Sequence, residues 1–121
     1  MTDHTPAAIV QRQLDAYNRR DIDALMAIYD EQARQFEFPG TLAASGAVQI
    51  RERMSLRFRE PDLHARLVQR AVMGNIVIDQ EVVTRNFPEG IGTVDVVAIY
   101  ETADGKIQSA TVQVSNKRMG A

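Results

Sequence analysis

No cysteine occurs in the 121 residues. That absence excludes disulfides, iron–sulfur clusters, thiol nucleophiles and cysteine-ligated zinc. Histidine is almost as scarce. His4 and His64 are the whole complement, too far apart and in segments too unlike to form a metal pair, so no metal site is implied. No stretch approaches the ~20 apolar residues of a membrane-spanning helix. The opening Met1-Thr2-Asp3-His4 has neither the basic start nor the apolar run of a signal peptide, and a cytoplasmic protein is expected. Positive charge is not in surplus either. Fourteen basic against sixteen acidic residues leave a net charge of -2, which argues against nucleic acid as a partner, as the apolar pattern argues against a membrane. Serines 45, 55, 109 and 115 have no nucleophile elbow around them. Gly90-Ile91-Gly92 lies between expected strands rather than before a helix, so it makes no phosphate loop, and no cofactor is implied.

The composition that remains, 45% apolar and 25% charged, is that of a globular protein. One domain over residues 1–121 fits the length. Thr5-Pro6 supplies a cap and a first-turn proline for a helix running to Arg19, with Ile9, Val10, Leu14 and Tyr17 at helical spacing. Asp21 opens a second short helix with Leu25, Ile28 and Tyr29 facing inward. Gln35–Phe38 reads as a short extended piece stopped by Pro39-Gly40, and residues 41–46 read as a loop. A third helix, striped by Ala47, Ile50, Met54 and Phe58, is predicted over about residues 47–59.

The period then changes from helical to alternating. Leu63, Ala65, Leu67, Ala71 and Met73 fall on one face of a strand ending at Gly74-Asn75. Folding about that dipeptide pairs Met73 with Ile76, Ala71 with Ile78 and Leu67 with Val82, and sets Arg70 beside Asp79. A second hairpin joins strand 93–101 to strand 106–115. Its expected register puts Asp95, Val97 and Ile99 on the face of Ala110 and Val112, and Val94 opposite Gln113. Both faces of strand 93–101 are largely apolar, so a second cover is needed, and a homodimer packed sheet to sheet is the simplest.

This order of helices and strands resembles the nuclear transport factor 2-like (SnoaL-like) superfamily. The resemblance is carried by Ala16-Tyr17-Asn18-Arg19-Arg20-Asp21-Ile22-Asp23-Ala24-Leu25 and by Ile28-Tyr29-Asp30-Glu31-Gln32-Ala33. Pro39-Gly40, Gly46 before the third helix, and Tyr100 with Asp104-Gly105-Lys106-Ile107 extend it over nearly the whole chain. It implies an α+β, cone-shaped, cystatin-like fold in which three N-terminal helices pack in a curved antiparallel sheet. That fold hosts isomerases, cyclases, dehydratases, hydrolases and non-enzymes, so it implies no single activity. Similarity to ketosteroid isomerase, where a carboxylate moves a proton while a tyrosine and a protonated aspartate hold the oxyanion, implies Glu37 as base and Asp95 as the oxyanion acid. The oxyanion tyrosine falls on Gln13, a departure, because an amide cannot supply the phenol's hydrogen bond.

The residues weigh these roles independently. Glu37 is either a partly desolvated base at the cone mouth or a solvent-facing residue, with Phe36 and Phe38 turned inward instead. Asp95, on an apolar face, is neutral and donating, paired to a cation, or at an open rim. Gln13 and Tyr17 share one helical face and either contact a ligand or belong to the core. Val97 and Val112 are the expected apolar lining. Arg51, Arg53, Arg57, Arg59, Arg66 and Arg70 form a cluster expected to be a solvated face. The resulting reading is a cofactor-free isomerase or cyclase type of enzyme moving a proton on a small hydrophobic carbonyl compound. The alternative is a non-catalytic small-molecule-binding or dimerisation module. An epoxide-hydrolase type of site needs an arginine between two acids, and Arg34 and Arg85 are its candidates.

Overall fold

The computed structural model describes residues 3–120. Thr5 caps the first helix, α1 (Pro6–Arg19): its hydroxyl accepts from the Ala8 amide at 3.3 Å, and Pro6 occupies the first turn. Arg20 stops the helix in the left-handed region at φ 52°, its amide closing on the Ala16 and Tyr17 carbonyls. Asp21 caps α2 (Ile22–Met26) through the Ala24 amide at 3.1 Å. The chain then turns extended earlier than its periodicity predicts. Tyr29 opens β1 (Tyr29–Glu37), and Pro39-Gly40 turns it into β2 (Thr41–Ser45) where a loop is expected. Branched and aromatic residues at 28 and 29 favour the strand over another helical turn. The third helix, α3 (Ala47–Arg57), therefore sits after a hairpin in mid-chain, which corrects the expectation of three N-terminal helices.

Four longer strands follow: β3 (His64–Met73), β4 (Ile76–Phe87), β5 (Gly90–Ala103) and β6 (Lys106–Met119). They complete a six-stranded sheet of order β2-β1-β6-β5-β4-β3, antiparallel except where β1 lies parallel to β6. Helix α1 crosses the inner face of β3 to β6, and α3 packs on β1 and β2. The Asn18 side chain pins α1 to β3 as a strand neighbour would, giving to the Ala65 carbonyl at 2.9 Å and accepting from its amide at 2.8 Å. The core is Ile9, Val10, Leu14, Leu25, Ile50, Leu63, Val77 and Ile107 with smaller partners.

Bulges decide which side chains face inward. In the β3–β4 hairpin Met73 pairs with Ile76, Ala71 with Ile78 and Arg70 with Asp79, as expected. Between Leu67 and Gln69 the register slips, so Leu67 meets Glu81 rather than Val82. The extra residue turns β3 over. Leu63 and Ala65 face the core, but Met73 is 84% exposed and Ala71 is also outside. In β5–β6 the turn already sets Thr102 rather than Tyr100 opposite Ile107, and a one-residue slip beside Glu101 then brings Gln113 opposite Val97 rather than Val94. That shift is odd in residue count, and an odd shift exchanges the two faces. The inner face is thus Val94, Val96, Ala98 and Tyr100 with Ala110 and Val112, whereas Asp95 and Val97 lie on the outer one.

Candidate active site

Between the inner sheet face, α1 and α3 lies a cavity of about 560 Å³. Leu14, Met54, Val83, Val94, Val96, Ala98, Ala110 and Val112 make its apolar wall. Polar groups come from separate elements: Gln13 and Tyr17 from α1, Tyr29, Gln35 and Glu37 from β1, Arg53 and Arg57 from α3, Glu81 and Arg85 from β4, Tyr100 from β5. A small set of polar groups in an apolar hollow is the general pattern of a small-molecule site.

Glu81 is the group that residue patterns alone did not single out. It is 6% exposed and lines the cavity. Burial, then the negative charge of Asp79, push its carboxyl up to about 7, with Arg70 opposing. No fully enclosed side-chain polar atom among the described residues is left without a hydrogen-bond partner. The Glu81 carboxyl makes no hydrogen bond to any described residue, so it meets the open cavity. Asp79, two residues along the same face and fully buried, is held by a fork from Arg70, at 2.6 Å from Nε and 2.9 Å from Nη2. The remaining Arg70 nitrogen, Nη1, donates to Gln11 at 2.9 Å. Arg70 therefore stands beside two acids, Asp79 and Glu81, unlike the candidates Arg34 and Arg85. Arg34 is exposed and stacks on Phe36 at 5.4 Å, and Arg85 is forked onto Glu60 at 2.8 Å from both nitrogens.

Three phenols surround the hollow, all neutral donors because burial raises each above its ordinary value. Tyr29 is pushed up to about 12, Tyr17 is raised and Tyr100 is raised further. Tyr100 donates to Gln13 Oε1 at 3.2 Å, and Tyr29 accepts from Gln35 Nε2 at 3.4 Å. Among the described residues no acceptor takes the Tyr17 or Tyr29 proton. The position where the resemblance puts Gln13 in place of a tyrosine thus lies beside a phenol supplied by β5.

Of the residues singled out from sequence, Gln13, Tyr17, Val112 and Glu37 meet at this cavity. Glu37 sits at its mouth with an exposed side chain, and Phe38 lines the same edge. Asp95 and Val97 do not belong to it. The Asp95 carboxylate accepts from Arg118 at 2.7 Å and Asn116 at 2.8 Å, and those two bonds hold it down to about 2. Of the alternatives for Asp95, the cation partner is the one present, but on the outer face, where it marks no pocket. Val97 is displaced by the same register slip. The arginine cluster is also divided: Arg53 and Arg57 line the cavity and Arg70 is held inside, while Arg51 pairs with Asp23 at 2.5 Å. An alternating strand with Arg70 across from Asp79 and a second acid two residues on is the signal from which Glu81 was readable.

Among the described residues no helix is long and apolar enough to cross a membrane, and no group of three or more metal-ligating side chains comes together. No curated protein matches the sequence. Several solved structures share the fold. An uncharacterized cystatin fold protein from Novosphingobium aromaticivorans superposes with a TM-score of 0.83 at 24% identity, over 89% of this chain and 97% of that one. A protein with a ketosteroid isomerase-like fold from Catenulispora acidiphila, in complex with trimethylamine, gives 0.78 at 17% identity over 92% and 87%. An epoxide hydrolase from M. tuberculosis gives 0.77 at 12% identity over 91% and 82%. The model of the SnoaL-like domain matches residues 10–110, and with the fold these neighbours share, the chain belongs to the SnoaL-like family of the nuclear transport factor 2-like, ketosteroid isomerase-like fold.

Proposed function

We propose that this protein is a cofactor-free enzyme of the isomerase or cyclase type, moving a proton on a small hydrophobic carbonyl compound held in the cavity. Glu81 is the acid–base group. A carboxyl near 7 is about half ionised at neutral pH and both takes and returns protons readily. Its carboxylate removes a proton from the carbon beside the carbonyl, and the electron pair of that C–H bond moves onto the carbonyl oxygen as an enolate. A Tyr17 or Tyr29 hydroxyl donates to that oxygen, and Gln13 with Tyr100 orients the ring system. The proton then returns from Glu81 to another carbon, or the enolate carbon bonds to a second carbonyl carbon and the oxygen of that carbonyl, left as an alkoxide, takes the proton from Glu81. Glu37 at the mouth, assigned as base by the resemblance, belongs here to substrate entry, since its side chain is exposed and Glu81 is not. The single observation that carries the reading is an unbonded, buried carboxyl facing an apolar hollow.

The test uses a plain ketone, 2-tetralone, in deuterated water, with loss of its α-proton signals followed by NMR. The expected result is exchange faster than buffer, rising with pH and levelling above about 7 as Glu81 ionises. Glu81→Gln should lose about 100-fold or more of it. Binding of the ketone without any exchange above buffer would leave the other reading, a non-catalytic small-molecule carrier. A hydrolytic site built on Arg70 is less favoured, because Arg70 and Asp79 do not line the cavity. We also propose a homodimer formed through the outer sheet face.

A further inference from the structure

Three arginines line the cavity, and they are not equivalent. Arg85 is forked onto Glu60, and Arg57 approaches the same carboxylate at 3.7 Å. Glu60, held low by Arg85, the Asn86 amide and Arg57 against the opposing effect of burial, is therefore an anion shared by two cations. Arg53 has no such partner. Among the described residues no carboxylate lies within 4.0 Å of it. Its one hydrogen bond runs from Nη1 to the neutral Gln35 Oε1 at 2.8 Å. Gln35 is itself buried and tied to Tyr29, so the guanidinium is held in place while its other N–H groups stay free. It is half-buried and one helical turn from Arg57. Burial, then the Arg57 charge, oppose its proton, and the exposed Glu37, followed by Tyr29 and Tyr17, favours it without offsetting them. A cation kept desolvated beside another cation is costly unless an anion completes the site.

From this arrangement we infer that the substrate carries a carboxylate, which the free edge of Arg53 takes in a two-pronged hydrogen bond, so that the protein prefers hydrophobic oxo acids to the neutral ketones on which it also acts. A guanidinium edge matches a planar carboxylate in shape and charge. Of the three arginines only Arg53 has no carboxylate beside it, so one guanidinium edge is open to one planar anion, and Glu37 and Glu81 on the same cavity disfavour the second charge of a phosphate. The inference rests on reading the cavity as the substrate site, and it adds which end of the substrate goes where. The carboxylate lies at α3, and the reacting carbon lies toward β4.

The experiment is calorimetric titration of naphthalene-2-carboxylate, naphthalene-2-carboxamide and naphthalen-2-yl phosphate into the wild type, Arg53→Gln and Glu81→Gln. The carboxylate should bind about 10- to 100-fold more tightly than the amide. Arg53→Gln should erase that ratio while leaving amide affinity unchanged and the melting temperature no lower, which separates recognition from misfolding. Glu81→Gln should keep the ratio or raise it, since a negative charge leaves the cavity. Equal affinities for carboxylate and amide in the wild type, or a preference that survives Arg53→Gln, would overturn the inference. Stronger binding of the phosphate would overturn the choice of carboxylate. The readout needs no turnover, so it stands apart from the exchange test: a protein with this preference and no exchange refutes the catalytic proposal alone.

Discussion

Glu81 has to be counted in stability as well as in chemistry. Its carboxyl titrates near 7 in the folded chain against 4.5 as the ordinary value. Between those two pH values the folded protein holds a proton that the unfolded chain has released. Unfolding then gives up a proton, so stability falls as pH rises through this window and is level above about 7. The total is on the order of 3 kcal/mol. Urea unfolding midpoints taken from pH 4.5 to 8 should decline in the wild type. In Glu81→Gln this part of the slope should vanish, and the variant should be the more stable one at the alkaline end. A wild type whose slope equals that of Glu81→Gln would place Glu81 in water. The group was hard to read from sequence for a physical reason. On β4 the branched residues Ile76, Ile78 and Val82 outnumber Val77 and Val83, so counting apolar residues picks the wrong face. Asp95 was misplaced by the same logic, as an acid among valines that faces outward to Arg118.

The β3–β4 hairpin carries one buried ion pair. Asp79 has no exposed surface and the Arg70 side chain is 15% exposed. Arg70 also reaches Gln11, which ties α1 to the hairpin. Arg70→Met would leave the Asp79 charge sealed without a partner, and the expected loss is about 3–5 kcal/mol of unfolding free energy. Asp79→Asn combined with Arg70→Met should recover part of it, since no buried charge is then stranded. Chemical denaturation of the two variants measures both quantities, and equal stabilities would show the pair to be uncoupled. This cross-strand pairing was legible in the sequence because both members lie near the tight Gly74-Asn75 turn, before the slip at Leu67 and Gln69. Helix α1 was legible for a similar reason: Thr5, Pro6 and Arg19 punctuate it locally. The bulges were not, because an extra residue in a strand carries no composition of its own and shows only in which partner it meets. β2 was missed since Thr41–Ser45 is short and mostly exposed, and it pairs without an apolar face to announce it.

The slips that moved Asp95 outward leave the second apolar face of the sheet where it was expected to need a cover, though with different members. Ile78 pairs with Ile99, and Gln80 with Val97, in one row across β4 and β5, continued by Ala71 on β3. Ile78 is 40% exposed and Val97 39%. Side chains of this kind, contiguous and flanked by the polar Asp95–Arg118 pair, resemble the centre and rim of an interface. A second copy of the same sheet, related by a two-fold axis, can cover them, because each copy presents the patch the other needs. Sedimentation equilibrium at micromolar concentration should therefore give twice the 13.5 kDa of one chain. Ile78→Glu should give the single-chain mass, since a carboxylate at the centre of an apolar interface loses its solvation. Ile78 points away from the cavity, so the same variant should keep the circular dichroism spectrum and the naphthalene-2-carboxamide affinity of the wild type. A wild type that sediments as one chain would refute the dimer. Loss of ligand binding along with mass in Ile78→Glu would show instead that the cavity needs the partner to hold its shape.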